Sequence, residues 1–284
     1  MTIFPVAELI EPLVAAGMYV IRMDHRDNGQ SSYVEEAWPV NEVSLEVRRR
    51  IVSASRGLVP LRLDYPYAVA DLATDAIELL DALHLTKAHV VGHSLGGMVA
   101  QLLAIRYPAR VLSLTSMSSQ CGQGVAHHKP NLCRLLSISR RDQPVGGDGA
   151  SFEAICAAKL HYYEAISGTL WAPEWQARGI AERAKRMGRG YAEYRRGCSR
   201  AACAIVMAES RVADLADLRS AGMQGPVFAV HGSLDPVIPV ANAHHFAGVV
   251  PGAVTVVVEG MGHIITPETC TEMLRAFRQH GLVK

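Results

Sequence analysis

The sequence has 284 residues, of which 49% are hydrophobic and 19% charged, and its formal net charge is +1 at pH 7. This length and apolar content predict a sizeable buried core and exclude global disorder, and the near-neutral charge argues against a nucleic-acid or other polyanionic partner. No apolar run approaches the roughly 18 residues that a membrane span needs, and Glu8 and Glu11 interrupt the first apolar stretch, so we expect neither a signal peptide nor a membrane anchor.

The first elements predict an α/β protein. Residues 5–17 predict a helix that Gly17 ends, and residues 18–23 predict a strand whose almost continuous apolar run is typical of a strand covered on both faces. A polar, turn-rich loop follows at 24–31, and residues 41–57 predict a surface helix.

The alternation continues through the next elements. Residues 67–85 predict an amphipathic helix, residues 89–91 a strand, and the apolar run after it a helix that ends near Pro108. Residues 111–117 predict another apolar strand. Alternating helices and strands predict a mostly parallel sheet with helices on both faces, which is an α/β architecture.

The regular pattern is lost between residues 121 and 222, where helical patches occur at 151–164 and 181–187. We interpret 121–222 as a helical cap inserted into a core formed by residues 1–120 and 223–284. Aromatic residues that either line a substrate cavity or pack the cap occur in this region at Tyr162, Tyr163, Trp171, Trp175, Tyr191 and Tyr194.

Two strands return after the cap, at 226–231 and 254–258, and a helix is predicted at 266–281. Each strand is followed at once by a loop with a residue typical of catalysis, Asp235 after the first and His263 after the second. Loops that follow parallel strands gather at one edge of an open sheet, where ligands bind.

Ser94 lies between a β-branched strand and an apolar helix in the sequence G-H-S-L-G. A serine at the apex of such a tight turn is held on a strained backbone with its hydroxyl clear of the sheet. We expect Gly92 and Gly96 to be required because strand and helix nearly touch there and a Cβ would collide. The N-terminus of the helix directs free N–H groups at an oxyanion formed beside the serine.

Serine, acid and histidine follow one another in the order Ser94, Asp235 and His263. A serine hydroxyl becomes a nucleophile when a histidine removes its proton, and that histidine needs a carboxylate to fix its tautomer. The order is characteristic of α/β-hydrolases. Asp214 and Asp217 are rival candidates for the acid, but they lie in a helical stretch well before the strand.

Four segments resemble the α/β-hydrolase superfamily: G-H-S-L-G-G at 92–97, D-H-R-D-N-G-Q-S at 24–31, H-G-S-L-D-P at 231–236 and G-M-G-H at 260–263. Within that superfamily the chain resembles the bacterial carboxylesterase branch that includes aclacinomycin methylesterase, from about residue 5 to the C-terminus.

The resemblance implies a role for each matching residue. Ser94 is expected to be the nucleophile, His263 the general base, Asp235 its orienting acid, and the N–H of Leu95 one oxyanion donor. A place at the floor of the site, without a part in the chemistry, is implied for Asp24 and Arg26.

The sequence departs from the family's pattern at the N-terminus. Members begin with two or three strands ahead of the helix predicted at 5–17, and the last of them ends in a loop that supplies the second oxyanion N–H. The absent strand would lie between those predicted at 18–23 and 89–91. Either those two strands pair directly, or another segment fills the slot, or the sequence lacks the start of a longer protein; we favour the last.

The remaining histidines carry no predicted chemistry. We expect His93 to pack or to form a hydrogen bond, and we leave it out of the catalytic set. The adjacent pairs at 127–128 and 244–245 have no i, i+4 partner that would complete a metal site. We therefore expect no metal and no other cofactor.

The leading hypothesis is a serine hydrolase that cleaves a small-molecule carboxylic ester through an acyl-enzyme. A lactonase, a carbon–carbon bond hydrolase or a perhydrolase would use the same triad, and a non-catalytic ligand-binding protein of this fold is a further alternative. Haloalkane dehalogenases and epoxide hydrolases are disfavoured because the resembling enzymes carry aspartate at the position of Ser94. The six cysteines form no C-x-x-C pair, a pattern typical of free thiols in a reducing compartment, so we expect a cytoplasmic protein.

Overall fold

The computed structural model describes residues 5–35, 66–122, 144–185 and 190–284. In these residues four parallel strands form one sheet in the order β1-β2-β3-β4. Their bounds are β1 (Ala88–His93), β2 (Val111–Met117), β3 (Val227–Gly232) and β4 (Val254–Val258). The α/β class with a parallel sheet is confirmed, as are the four strands predicted from 89 onward.

Helices surround this sheet. The N-terminal helix begins as a π-helical turn (Val6–Ile10) and continues as α1 (Glu11–Ala15), and short 3-10 turns occur at Pro108–Arg110 and Gly147–Gly149. The other helices are α2 (Val69–Ala82), α3 (Leu95–Arg106), α4 (Phe152–Ile166), α5 (Pro173–Lys185), α6 (Tyr191–Met207), α7 (Val212–Ala216), α8 (Ala241–Val249) and α9 (Pro267–Gln279). The helices predicted at 5–17, 67–85 and 266–281 are confirmed, whereas the one predicted at 41–57 lies outside the described residues.

Alternate residues of β3 show why both faces of the sheet are apolar. Val227 and Ala229 belong to a buried cluster with residues of α2, α3, α7 and α8, whereas Phe228 and Val230 belong to a second cluster with α9 and the N-terminal helix. Successive side chains of a strand point to opposite faces. A central parallel strand covered on both faces therefore reads as one continuous apolar run.

The prediction of a strand at 18–23 is wrong. In the described residues this segment is irregular, and β1 pairs with β2 alone, so the direct pairing of the two predicted strands is not observed. Met18 and Val20 pack against a buried cluster, but Tyr19 is 81% exposed and Ile21 is 37% exposed. An apolar run indicates burial, whereas a strand also needs a neighbour for its backbone hydrogen bonds.

Helices α4 to α7 follow one another between β2 and β3, within the region predicted as a cap. Ser151 begins α4 as its N-cap and accepts a hydrogen bond from the N–H of Ala154. The last helix of the group contributes to the core beside the sheet, because its Leu215 belongs to the same buried cluster as Leu114 of β2. None of the helices within the described ranges is both long and apolar enough to cross a membrane.

Candidate active site

Ser94 stands at a sharp turn between β1 and α3. Its backbone has φ 55° and ψ −116°, a conformation that a non-glycine residue rarely adopts. The turn is held by the Ser94 N–H, which donates to the carbonyl of Met117 at 2.8 Å, and by the Ser119 hydroxyl, which donates to the Ser94 carbonyl at 2.9 Å. The strained elbow predicted around this serine is thus present.

Glycine is required at one of the two predicted positions. A Cβ on Gly92 would lie 1.9 Å from the carbonyl oxygen of Gly96, so strand and helix do touch there. A Cβ on Gly96 itself would meet nothing within 4 Å, so the steric expectation for Gly96 is wrong. The second close approach is instead at Gly97, whose Cβ would lie 2.5 Å from that of Ser119.

The side chains of Ser94, His263 and Asp235 form one chain of hydrogen bonds. The Nε2 of His263 lies 3.1 Å from the Ser94 Oγ, and its Nδ1 lies 2.7 Å from an Asp235 oxygen. Because a carboxylate only accepts hydrogen bonds, the proton is on Nδ1 and Nε2 is free to accept from the serine hydroxyl. The three residues follow the C-terminal ends of β1, β3 and β4, at the predicted edge of the sheet.

The carboxylate of Asp235 is fixed from several sides. One of its oxygens accepts from the N–H groups of Val237 and Ile238, each at 2.8 Å, while the other accepts from His263. Burial by itself would raise the pKa of the Asp235 carboxyl. The charge of His263 and the hydrogen bonds from His231 and His263 outweigh that effect and hold the pKa well below its ordinary value.

His231 is a neighbour of the acid that the sequence analysis did not single out. Its Nε2 donates to the carbonyl of Ile238 at 2.8 Å and also lies 3.4 Å from the Asp235 carboxylate. The side chain is buried at the end of β3. Its position four residues before the acid, in the H-G-S-L-D sequence, is the sequence signal that points to this contact.

His93 supports the backbone of His263. Its Nε2 donates to the His263 carbonyl at 2.7 Å, and the two ring centroids lie 4.9 Å apart. Burial, together with the nearby charge of His263, lowers the pKa of His93 from 6.5 to about 3, so the imidazole stays neutral. The expected packing and hydrogen-bonding role of His93 is confirmed.

Comparison with known proteins identifies the family. Residues 4–268 match the alpha/beta hydrolase fold family. The chain belongs to this family. Two similar proteins are rhodomycin D methylesterase DauP of Streptomyces sp. (strain C5), 30% identical over 281 residues, and rhodomycin D methylesterase DnrP of Streptomyces peucetius, 28% identical over 277 residues. Each alignment covers 91% of this chain and 79% of the relative.

Solved structures agree on the fold. E-2-(acetamidomethylene)succinate hydrolase superposes with a TM-score of 0.57 at 18% identity and covers 92% of this chain and 80% of its own. The 2-hydroxy-6-oxo-6-phenylhexa-2,4-dienoate hydrolase of Rhodococcus sp. strain RHA1 has the same TM-score and identity and covers 92% and 78%. At such identities the likeness shows the α/β-hydrolase fold alone.

Leu95 and the two loop residues take distinct places in this α/β-hydrolase. Leu95 is the first residue of α3, where a backbone N–H has no partner within the helix. Asp24 accepts a hydrogen bond from the N–H of Gln30 at 3.4 Å. Arg26 forms a two-pronged ion pair with Asp75 of α2, with its Nε 2.7 Å from one carboxylate oxygen. The last two contacts join the 24–31 loop to itself and to α2.

The rival acids and the histidine pair at 244–245 take no part in the contacts among Ser94, His263 and Asp235. Asp214 and Asp217 are exposed, on α7 and at its end, and His263 bonds to Asp235 instead. The pair at 244–245 is on α8, and the pair at 127–128 lies outside the described residues. Within the described ranges, no group of three or more His, Cys, Asp or Glu side chains is placed to hold a metal ion.

The aromatic residues of the insert divide into separate groups. One buried cluster beside the site contains Tyr163, Ile166 and Ile264, with Val237 packed against it, so it adjoins the loops that carry His263 and Asp235. Tyr162 and Trp171 also pack against that cluster, whereas Tyr191 and Tyr194 pack with Ile155 elsewhere. The indole N–H of Trp175 donates to Glu8 at 2.6 Å.

Proposed function

We propose that the protein is a serine hydrolase that cleaves a carboxylic ester through an acyl-enzyme on Ser94. His263 is the general base and Asp235 the acid that orients it. The observation that carries this proposal is the continuous chain of hydrogen bonds from the Ser94 hydroxyl through both ring nitrogens of His263 to the Asp235 carboxylate.

The first half of the reaction forms the acyl-enzyme. Nε2 of His263 takes the Ser94 proton as the serine oxygen attacks the ester carbonyl, and the ionised Asp235 stabilises the imidazolium that results. The Leu95 N–H donates to the oxyanion of the tetrahedral intermediate. The imidazolium then gives its proton to the departing alcohol, and the carbonyl reforms on Ser94.

The second half hydrolyses the acyl-enzyme by the same proton transfers. His263 removes a proton from water, the hydroxide attacks the acyl carbon, and the tetrahedral intermediate again places its oxyanion at Leu95. The bond to the serine oxygen breaks, that oxygen recovers its proton from the imidazolium, and the free acid leaves. Each cycle consumes one ester and one water and needs no oxidant or reductant.

The relatives narrow the substrate class. Both methylesterases named above act, by their names, on rhodomycin D, and together with the family membership they support ester hydrolysis by this chain. We propose a methyl ester as the natural substrate and the cytoplasm as the protein's location. We also retain the division into a core, 1–120 and 223–284, and a cap, 121–222, with the cap selecting the substrate.

Turnover of defined esters tests the proposal. Purified protein is incubated with p-nitrophenyl acetate and with rhodomycin D, and p-nitrophenol, methanol and the free acid are quantified. We expect the parent to hydrolyse both esters and Ser94→Ala to hydrolyse neither. With rhodomycin D, the methanol released should equal the free acid formed. Folded protein that hydrolyses neither ester, or a Ser94→Ala variant as active as the parent, would overturn the proposed function.

A further inference from the structure

We propose that the last residue of α4 and the turn that follows it, residues 166–169, position the general base. This segment, called here the α4 turn, binds the main chain of the loop at 260–263 and thereby holds the His263 imidazole in line with Ser94. The inference rests on the proposed function, since it assigns a positioning role for the same reaction. No residue of the α4 turn takes part in the chemistry itself.

Three main-chain hydrogen bonds join the α4 turn to the loop. The His263 N–H donates to the Ile166 carbonyl at 2.6 Å, and the Gly262 N–H donates to the Ser167 carbonyl at 2.8 Å. In the opposite direction, the Thr169 N–H donates to the Gly260 carbonyl at 2.8 Å. The loop is thus paired with a segment of the helical insert on one side, while on the other side the Leu234 N–H, just after β3, donates to the Met261 carbonyl at 2.9 Å.

Two glycines face each other across this pairing and admit no side chain. A Cβ on Gly168 would lie 2.3 Å from the Gly260 carbonyl oxygen, and Gly168 has a φ of +72°. A Cβ on Gly262 would lie 2.0 Å from the Ile166 carbonyl oxygen. A Cβ closer than 3 Å to a backbone atom could be accommodated only if the backbone moved. The close approach therefore needs glycine on both sides.

The α4 turn is itself firmly held. The Ser167 hydroxyl donates to the Tyr163 carbonyl at 2.6 Å, and Ser167 is fully buried. Ile166 is 1% exposed and packs with Ile180 of α5 and with Ile264, the residue after the base. The turn therefore fixes the loop relative to α4 and α5, because it contacts these helices and is hydrogen-bonded to the loop.

The main chain of His263 is consequently clamped between two parts of the molecule. Its N–H is bound by Ile166 of the insert, and its carbonyl is bound by His93, the residue before the nucleophile. The reacting contact, from Nε2 of His263 to the Ser94 Oγ, is 3.1 Å long. Catalysis is sensitive to such alignment, since a displacement of about 1 Å can cost about 10²-fold in rate.

The test disturbs the pairing from the α4 side, without touching the triad. Gly168→Ala places a Cβ against the Gly260 carbonyl, and Thr169→Val removes only the hydroxyl that donates to that carbonyl at 3.3 Å. Gly179→Ala is the matched control, because Gly179 is an exposed residue of α5 whose Cβ would meet nothing within 4 Å. The kcat and KM for p-nitrophenyl acetate are measured per active site, counted by fluorophosphonate labelling.

We expect Gly168→Ala to lower kcat by about 10-fold to 100-fold, with KM changed by less than about threefold and Gly179→Ala equal to the parent. Amide hydrogen exchange gives a readout independent of activity: in the parent the amides of Gly262, His263 and Thr169 should exchange at one common slow rate, and Gly168→Ala should accelerate all three. Thr169→Val should accelerate the exchange of these amides less than Gly168→Ala does. It replaces Gly168→Ala as the test variant if Gly168→Ala does not fold.

Distinct outcomes separate the two proposals. A parent protein that hydrolyses no ester refutes the proposed function. A parent that is active, with a folded Gly168→Ala variant that keeps the parent's kcat, refutes the positioning role alone. Unrelated exchange rates for the three amides in the parent refute it as well, because a loop bound by the α4 turn must open together with that turn.

Discussion

Asp235 and Ser94 lie at opposite ends of one hydrogen-bonded chain, and the protein holds them by different means. The Asp235 carboxylate is buried and accepts hydrogen bonds from Val237, Ile238 and His263. The Ser94 hydroxyl contacts the His263 ring. The direction of the Ser94 side chain is determined by the strained backbone of the turn.

The difference separates stability from reactivity. The acid end is an interior network in which each oxygen is satisfied, so a change there should affect both folding and turnover. The serine end is half-buried and its hydroxyl contacts His263, so a change there should affect turnover far more than folding. His263 connects the two ends, and hydrogen bonds to its main-chain N–H and carbonyl hold it in place.

Removing the proposed nucleophile should give the largest effect on rate. We expect Ser94→Ala to lower kcat by about 10⁶-fold, because it removes the hydroxyl that lies 3.1 Å from the Nε2 of His263. The free energy of unfolding should change by no more than about 1.5 kcal/mol, the contribution of one hydrogen bond. Turnover and thermal melting check this, with the exposed Ser220→Ala as the matched control; a residual rate within tenfold of the parent would contradict it.

Changing the acid should affect both properties. Asp235→Asn should lower kcat by about 10⁴-fold, since an amide opposite Nδ1 favours the wrong tautomer of His263. It should also lower the free energy of unfolding by about 1–3 kcal/mol, because a buried charged acceptor is lost. Asp214→Asn and Asp217→Asn are the controls, as both residues are exposed. If Asp235→Asn left stability and rate unchanged, the acid end would not be the interior network described above.

His93 offers a smaller perturbation of the same chain. His93→Leu removes the donor to the His263 carbonyl and should lower kcat by about tenfold, as expected for the loss of roughly 1.4 kcal/mol. His93→Gln keeps an N–H near the place of Nε2 and should restore most of the rate. Steady-state kinetics on both variants provide the measurement; equal rates for Leu and Gln would show that the donor has no part in alignment.

Stability should also respond to pH through imidazoles whose pKa is lowered in the folded protein, among them those of His93 and His25. Burial lowers the pKa of His93 from 6.5 to about 3 and that of His25 from 6.5 to about 4. Between those values and 6.5 the unfolded chain binds protons that the folded chain does not, so stability falls as pH falls through that window. The slope contributed by each group is at most about 1.4 kcal/mol per pH unit.

Denaturant unfolding at several pH values measures that slope. His93→Gln should make it shallower below about pH 6.5, because one of the groups that bind protons on unfolding is gone. The control is His244→Gln, which changes an exposed histidine of α8. An identical pH slope in parent and His93→Gln would mean that His93 is protonated in the folded protein.

Much of the fold and the meeting of Ser94, Asp235 and His263 could be predicted because the signals are local. Val111–Met117 and Val254–Val258 are apolar runs bounded by polar loops, and both are strands. Ser94, Asp235 and His263 each follow such a run directly, so the topology of a parallel sheet brings them to one edge. Their meeting then depends on strand order, which alternating elements restrict strongly.

The rest depends on contacts that the sequence does not encode locally. The run at 18–23 looks like a strand, but pairing needs a partner whose presence an apolar pattern does not report. Gly96 looked as constrained as Gly92, yet only the backbone geometry shows which Cβ would collide. The pairing of 166–169 with 260–263 joins segments far apart in the chain, and no periodicity predicts it.

The most direct test of the central claim is covalent labelling of Ser94 by a fluorophosphonate, with the modified peptide identified by mass spectrometry. We expect one adduct, on Ser94, formed rapidly in the parent, more slowly in Asp235→Asn, and absent in Ser94→Ala. That result would establish a hydroxyl made reactive by His263 and the acid behind it. Folded parent protein without an adduct on Ser94, or equal labelling in Ser94→Ala, would contradict the assignment of the nucleophile.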